Sequence, residues 1–307
     1  MPIARPFLKW AGGKHRVVPE LLKIIQQNPP LNCDWRVSPG SRYHEPFLGS
    51  GAMFFGLKNS NIIQTKQHSF LSDLNPALIN TMNVVKDVQL LPNLVERLRY
   101  MQEEYGKKGL VPKNSSKSER SAGMYYQKRK QLNDYLTENT TQFDRYSVEF
   151  AALTIFLNKT CFNGLWRMNN SGQFNVPEGD YIKPQNICQE DLLRTCNHLL
   201  KNTKIIQKDW KDAMKGKNVN SGDLIYLDPP YMPLRIEDEV FNSYFTEGFS
   251  EDDQVELAAS AAVLASKGAK VIASNHDALG DPTIRKIWKD AAASAGSDIH
   301  IKKITLN

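Results

Sequence analysis

The chain has 307 residues, 41% of them hydrophobic and 23% charged, which favours a packed globular core over a disordered or fibrous chain. Its formal charge of +6 is too small for a histone-like binder and suits a protein that meets polyphosphate. Charge alone fits a basic protein without a polyanionic partner equally well.

In chain order, the first motif is FLKWAGGKHR, in which Trp10 and Lys14 flank a Gly12-Gly13 turn leading into a helix expected over 17–27. An indole face attracts cations, a methylsulfonium among them, and Lys14 suits a carboxylate; a flexible basic N-terminus explains the same residues. A short strand over 42–45 then enters YHEPFLGSGAMFF, whose Phe47-Leu48-Gly49-Ser50-Gly51 turn lets backbone approach a ligand and aims helix N–H groups at it. Position 54 is Phe, so the third glycine of a dinucleotide fingerprint is missing and NAD is disfavoured. The next strand, 69–73, ends in Asp73, 22 residues after Gly51, the spacing at which an acid hydrogen-bonds ribose hydroxyls; a helix N-cap is the other reading.

From about 76 to 191 the sequence turns helical and more polar. GKKGLVPKNSSKSERSAG (106–123) reads as a surface loop, and Lys107, Lys108, Lys113, Lys117, Arg120, Lys128, Arg129 and Lys130 in and after it suit either a nucleic-acid-facing element or a solvated loop. NGLWRMNNSGQFNVPEG is Asn/Gly/Ser-rich and predicts a hairpin. A strand over 223–227 delivers GDLIYLDPPY. Its prolines hold the turn rigid, so that the Asp228 carboxylate and the Pro229 carbonyl converge as two acceptors suited to an –NH2 group, and Tyr231 can stack on a planar base. A helix over 250–266 with Ser250 as N-cap, a strand over 269–274 and a helix over 283–293 follow, completing an α/β alternation. Cys33, Cys161, Cys188 and Cys196 include no CxxC pair and no histidine at ligand spacing, so no metal site is expected and a reducing compartment is. MPIARPFLKW lacks the apolar region of a signal peptide, and the longest apolar run, 150–157, is too short to span a bilayer, so the protein reads as soluble and cytoplasmic.

Taken together, FLKWAGGK, EPFLGSG, SDLNP, NGLWRMNNSGQFNVPEG, DPPY and SNHD resemble the DNA adenine N6-methyltransferases of the Dam and DpnII type, in the family's order from Phe7 to about Asp277. The resemblance implies a Rossmann-like S-adenosylmethionine-dependent sheet formed by 1–75 and 191–307, with a helical target-recognition domain inserted over 76–190. It implies S-adenosylmethionine contacts at Trp10, Lys14, Asp73 and Asp228, with Phe47, Gly49 and Gly51 in the glycine motif. It assigns Asp228, Pro229 and Tyr231 to a flipped adenine, and Lys9, Phe162, Leu165, Arg167 and Pro177 to 5′-GATC-3′ in double-stranded DNA. Arg167 as a phosphate clamp rather than a base reader stays open. A cognate restriction endonuclease is a further partner to expect. Two departures stand out: 106–122 reads as an insertion, and the chain ends at IHIKKITLN, so the family's seventh, antiparallel strand is expected to be missing. The rival readings are methylation of cytosine N4, or of RNA or a protein amide, by a related pocket, and a DNA-binding relative with weak or no activity.

Overall fold

A computed structural model describes residues 3–10, 14, 17–27, 34–108, 123–137, 146–180, 186–230, 249–275 and 282–304. The chain divides into two compact units, one made of 14–74 and 202–307, the other of 1–13 and 75–201.

The first unit is built on a five-stranded sheet: β1 (Tyr43–Glu45), β2 (Ser69–Asp73), β3 (Thr203–Gln207), β4 (Leu224–Leu227) and β5 (Lys270–Ala273). All pairings are parallel and the order is β3-β2-β1-β4-β5. Central strands of such a sheet are covered on both faces and read as continuous apolar runs; LIYL of β4 is buried at every position. The helices of this unit are α1 (Val18–Gln27), α2 (Ala52–Asn59), the short α8 (Trp210–Ala213), α9 (Glu251–Ser266) and α10 (Pro282–Ala295). α9 packs on β5 and α10. Its Leu257, Ala261 and Leu264, at helical spacing, join Ile225, Leu227, Trp210 and Met214 in one core cluster. Ser250 starts α9 through a capping box with Asp253. Among the described residues no strand follows Ala273.

At the opposite edge of the sheet from the strand carboxyl ends, Asp223 precedes β4 and gathers donors. Its carboxylate accepts from the Arg42 backbone and guanidinium, from the Asn220 N–H, and lies 2.9 Å from His44 Nε2. Burial alone would raise its pKa, but the His44, Asn220 and Arg42 hydrogen bonds win and hold it at about 2.

The second unit is helical: α3 (Pro76–Lys86), α4 (Leu90–Lys108), α5 (Met124–Thr137), α6 (Val148–Thr160) and α7 (Glu190–Leu200). α3 opens with Pro76 at its first turn and Asn75 as N-cap, the Asn75 side chain accepting the Leu78 N–H at 3.1 Å. α6, VEFAALTIFLNKT, is buried from Phe150 to Leu157 without interruption, and α3, α4 and α5 all pack on it. A helix that is apolar on every side must be central.

Two segments outside 76–190 fall in the helical unit. Residues 1–13 belong with the helical unit, where Phe7 and Leu8 are buried and the Arg5 carbonyl accepts from Cys196 Sγ at 3.4 Å. α7 stays there too, because Leu192, Leu193, Cys196 and Leu200 form a buried face against α3 and α4. The strand β3 was not foreseen, since its two isoleucines sit among polar residues in KNTKIIQKD. No helix among the described residues is long and apolar enough to cross a membrane.

Candidate active site

The strand order reverses between β1 and β4, and in open α/β sheets ligands bind outside the carboxyl ends at such a switch point. That edge receives Glu45 from β1, Asp73 from β2, and, one residue past β4 and β5, Asp228 and Ser274. Beyond Glu45 the chain turns through Gly49 (φ 48°) and Gly51 (φ 72°), backbone that disfavours any side chain, into α2. The Gly49 N–H donates to Asp73 Oδ2 at 2.9 Å, so the glycine turn and the acid of β2 are one unit. Phe47 packs against Trp210 and Phe249, with ring centroids at 6.2 and 5.9 Å.

Glu45 is buried and accepts the Tyr43 hydroxyl at 2.7 Å and the Phe54 backbone N–H. Burial pushes its pKa to about 8, with the nearby Asp228 and Asp73 charges adding to the rise against the Tyr43 and Phe54 hydrogen bonds. Asp228 is held differently. Lys14 Nζ lies 2.7 Å from its Oδ1, and the Ser274 hydroxyl donates to the same oxygen at 3.0 Å. Ser274 Oγ in turn lies 2.9 Å from the Tyr226 hydroxyl. Burial raises the Asp228 pKa, opposed by Lys14 and Ser274. Two residues further on, the Pro230 carbonyl accepts from Gln254 Nε2 at 3.3 Å, and Gln254 Oε1 accepts from Asn275 Nδ2 at 3.1 Å.

In the helical unit, residues 161–178 form a hairpin with bridges Cys161↔Glu178 and Met168↔Phe174. Its turn is closed by Asn169, whose side chain accepts the Ser171 and Gln173 N–H groups, and by Gly172 at φ 70°. α5 holds it from behind: the Asn133 side chain pairs with both the N–H and C=O of Phe174, and Tyr125 donates to the Val176 carbonyl. Arg167 gives Nε to Asn175 Oδ1 at 2.7 Å, and no partner is found for its terminal nitrogens among the described residues. Phe162 is 47% exposed, and the Phe162 N–H bonds the carbonyl of exposed Pro177. Buried Asn158 of α6 accepts the Lys9 N–H at 2.7 Å and donates to the Lys9 carbonyl at 2.6 Å, fastening the N-terminal segment beside the hairpin. Gly164, at φ 66°, lies against Lys9: a Cβ there would come 2.6 Å from that of Lys9.

Residues 10–304 match the model of the D12 class N6 adenine-specific DNA methyltransferases. The chain belongs to this family. It is 35% identical to the type II methyltransferase M.MjaIII of Methanocaldococcus jannaschii over 88% of this chain and 84% of that one. It is 32% identical to the type II methyltransferase M1.LlaDCHI of Lactococcus lactis subsp. cremoris, covering 93% and 85%, and 31% identical to the DNA adenine methylase of Escherichia coli K12, covering 90% and 82%. The parallel α/β sheet is accordingly that of a Rossmann-like methyltransferase, and the D12-class enzyme methylates adenine N6 in DNA.

Of the residues singled out from the sequence, Lys14, Phe47, Gly49, Gly51, Asp73, Asp228 and Pro229 lie in the sheet unit, and Lys9, Trp10, Phe162, Leu165, Arg167 and Pro177 in the helical one. Lys14, expected to face a cofactor carboxylate, is paired with Asp228. Trp10 stacks on Trp166 at 5.8 Å. Tyr231, the Gly12-Gly13 turn and most of the basic loop lie outside the described residues. Asp73 is not the cap of α3, since Asn75 fills that position. Sequence reading missed Glu45, Asn158, Ser274, Asn275 and Gln254. The SNHD motif signalled two of these without a role, and an acid closing β1 just before the glycine turn was the available signal for Glu45. Asn158 and Gln254 sit inside helices with nothing nearby to mark them.

Proposed function

We propose that the methyl donor is S-adenosylmethionine, that the target is the adenine of 5′-GATC-3′, and that the base is extruded from the duplex before reaction. The observation that carries the chemistry is the state of Asp228: Oδ1 is occupied by Lys14 and Ser274, whereas Oδ2 has no donor among the described residues. A half-buried carboxylate paired with a lysine, with one oxygen engaged, is a directional acceptor.

The donor set around the glycine turn fits a nucleoside. Gly49 and Gly51 bring backbone close, Asp73 fixed to that turn offers acceptor oxygens suited to ribose hydroxyls, and Phe47 adds an aromatic wall backed by Trp210 and Phe249. Lys14, beside Asp228 in the sheet unit, is assigned to the amino-acid portion. When bound, S-adenosylmethionine supplies an electrophilic methyl group. Asp228 and the Pro229 carbonyl accept hydrogen bonds from the two N6 hydrogens, which orients the nitrogen lone pair and favours the positive charge developing on the amine, and one of those hydrogens then leaves as a proton on the Asp228 side. Tyr231 stacks on the extruded base, and holding both partners in place supplies much of the remaining barrier reduction.

For the site, Arg167 reads a guanine: Asn175 takes Nε and steadies the fork, leaving its terminal donors for O6 and N7. Lys9 reads the second guanine, Leu165 and Pro177 meet a thymine methyl, and exposed Phe162 fills the gap left by the extruded adenine. A restriction endonuclease of the same specificity is the partner this reading admits, in keeping with the type II relatives. A DNA substrate assigns the activity to the compartment that holds the genome, in a bacterium its cytoplasm.

The test is transfer of tritiated methyl to DNA free of adenine methylation, followed by nucleoside analysis and mapping of the modified sites. N6-methyladenine within GATC is the expected product. Asp228→Ala is expected to lose on the order of 10²-fold or more in rate while DNA binding persists. Label in N4-methylcytosine, or wild-type turnover by Asp228→Ala, would overturn the assignment.

A further inference from the structure

We propose that Ser274, Gln254 and Asn275 are positioning residues that clamp the Asp228-Pro229-Pro230 turn from both ends. The inference rests on the reading of Asp228 as the acceptor for the target amine. At one end the Ser274 hydroxyl donates to Asp228 Oδ1 at 3.0 Å while its oxygen lies 2.9 Å from the Tyr226 hydroxyl of the neighbouring strand. Because Lys14 binds the same oxygen, the carboxylate is held by two donors from separate parts of the chain, which restrains its rotation. At the other end the Gln254 amide donates to the Pro230 carbonyl at 3.3 Å. Gln254 is fully buried, and its other amide atom accepts from Asn275 at 3.1 Å. A carbonyl can only accept and an Asn amide nitrogen can only donate, so one orientation of the Gln254 amide satisfies both partners.

Between these anchors lies Pro229, whose carbonyl is the second acceptor in the proposed reaction. Proline rings fix φ at positions 229 and 230, so the remaining freedom of the turn is in ψ. With the Asp228 side chain tied at one end and the Pro230 carbonyl at the other, that freedom is removed as well. The SN dipeptide following β5 therefore acts on both ends of one turn: Ser274 directly, Asn275 through Gln254. The capping box of Ser250 and Asp253 sets where α9 begins and so where Gln254 stands, one turn in.

The two ends differ in what they touch, which separates positioning from general stability. Among the described residues the groups around Asp228 are Lys14, Glu45 of β1, which also feels the Asp73 charge, and Ser274 backed by Tyr226. Removing the Ser274 hydroxyl takes away a donor that favours the ionised carboxylate. Ser274→Ala is expected to lower kcat on the order of 10-fold or more, with KM for DNA and calorimetric affinity for S-adenosylmethionine within about twofold, and to move the acid limb of the pH–rate profile upward. Ser274→Thr, which keeps a hydroxyl, should retain most of the turnover and the wild-type acid limb. Gln254→Leu should lower kcat to a similar extent and leave the acid limb in place, because it does not touch Asp228. Wild-type kcat in Ser274→Ala and Gln254→Leu would overturn the proposal, as would parallel losses of kcat, affinity and melting temperature in both. Asp228→Ala run alongside separates the two levels. Turnover by that variant would sink the reading of Asp228 itself, whereas a dead Asp228→Ala beside fully active Ser274→Ala and Gln254→Leu would sink only the clamp.

Discussion

Glu45 is a buried and Asp228 a half-buried carboxyl group at neighbouring strand ends, and their partners differ. Asp228 has the Lys14 cation beside it, while the donors to Glu45 among the described residues are neutral, the Tyr43 hydroxyl and the Phe54 N–H. Without a cation to offset burial, Glu45 rises to about 8 from the ordinary 4.5. A group whose folded pKa is raised contributes stability that is complete below its unfolded value and is lost as pH climbs through the folded one. The melting temperature of the wild type should therefore fall between about pH 5 and pH 8, and Glu45→Gln, which is neutral throughout, should flatten that fall. Scanning both proteins across the range checks it, and identical slopes would show that Glu45 is not the group responsible. Asp73 gives a second residue-scale expectation. Because Asn75 caps α3, Asp73→Ala leaves that helix its N-cap and removes the acceptor of the Gly49 N–H. Affinity for S-adenosylmethionine should drop by about 1.5–3 kcal/mol in calorimetry, the range for a hydrogen bond to a charged group.

The hairpin 161–178 shows at the scale of elements what the sequence made legible. Asn, Gly and Ser between apolar runs predicted a turn, and the Asn169 side chain and the Gly172 backbone close it. What holds the hairpin was hidden, since Asn133 and Asn158 act from helices where nothing in a local pattern distinguishes a bridging amide from an ordinary polar residue. The strand β3 was missed for a related reason: a short parallel strand draws its identity from the neighbours it pairs with, and TKIIQ has little apolar signal of its own. Arg167, braced by Asn175, carries the prediction for this element. Arg167→Ala should lose about 1–3 kcal/mol of discrimination at one guanine of the site, measured as methylation of GATC against singly substituted sites. Equal weakening on every sequence would make it a phosphate clamp.

Over the whole molecule, the α/β alternation, the sheet edge bearing Asp228 and Asp73, and the helical character of the middle were legible because each rests on local periodicity or on a strand-end motif. The place of residues 1–13 and of α7 in the helical unit rests instead on which buried face they complete. Stability of the sheet unit depends on Asp223, which lies in GDLIYLDPPY but was given no role there and which satisfies Arg42, His44 and Asn220 at once. Asp223→Ala should cost on the order of 3–5 kcal/mol in denaturant unfolding, because it strands a buried partner. In the wild type this contribution is complete above the ordinary carboxylate value of 3.8 and is lost as pH falls through about 2, the depressed pKa in the fold. The attachment of Lys9 has an evolutionary corollary. Asn158 grips that position through its main-chain N–H and C=O, groups that every residue except proline possesses in full. The side chain at position 9 is thus exchangeable without loosening the mooring, provided Gly164 keeps the space beside it clear. Variation there can retune what the N-terminal segment presents while its anchorage is inherited unchanged.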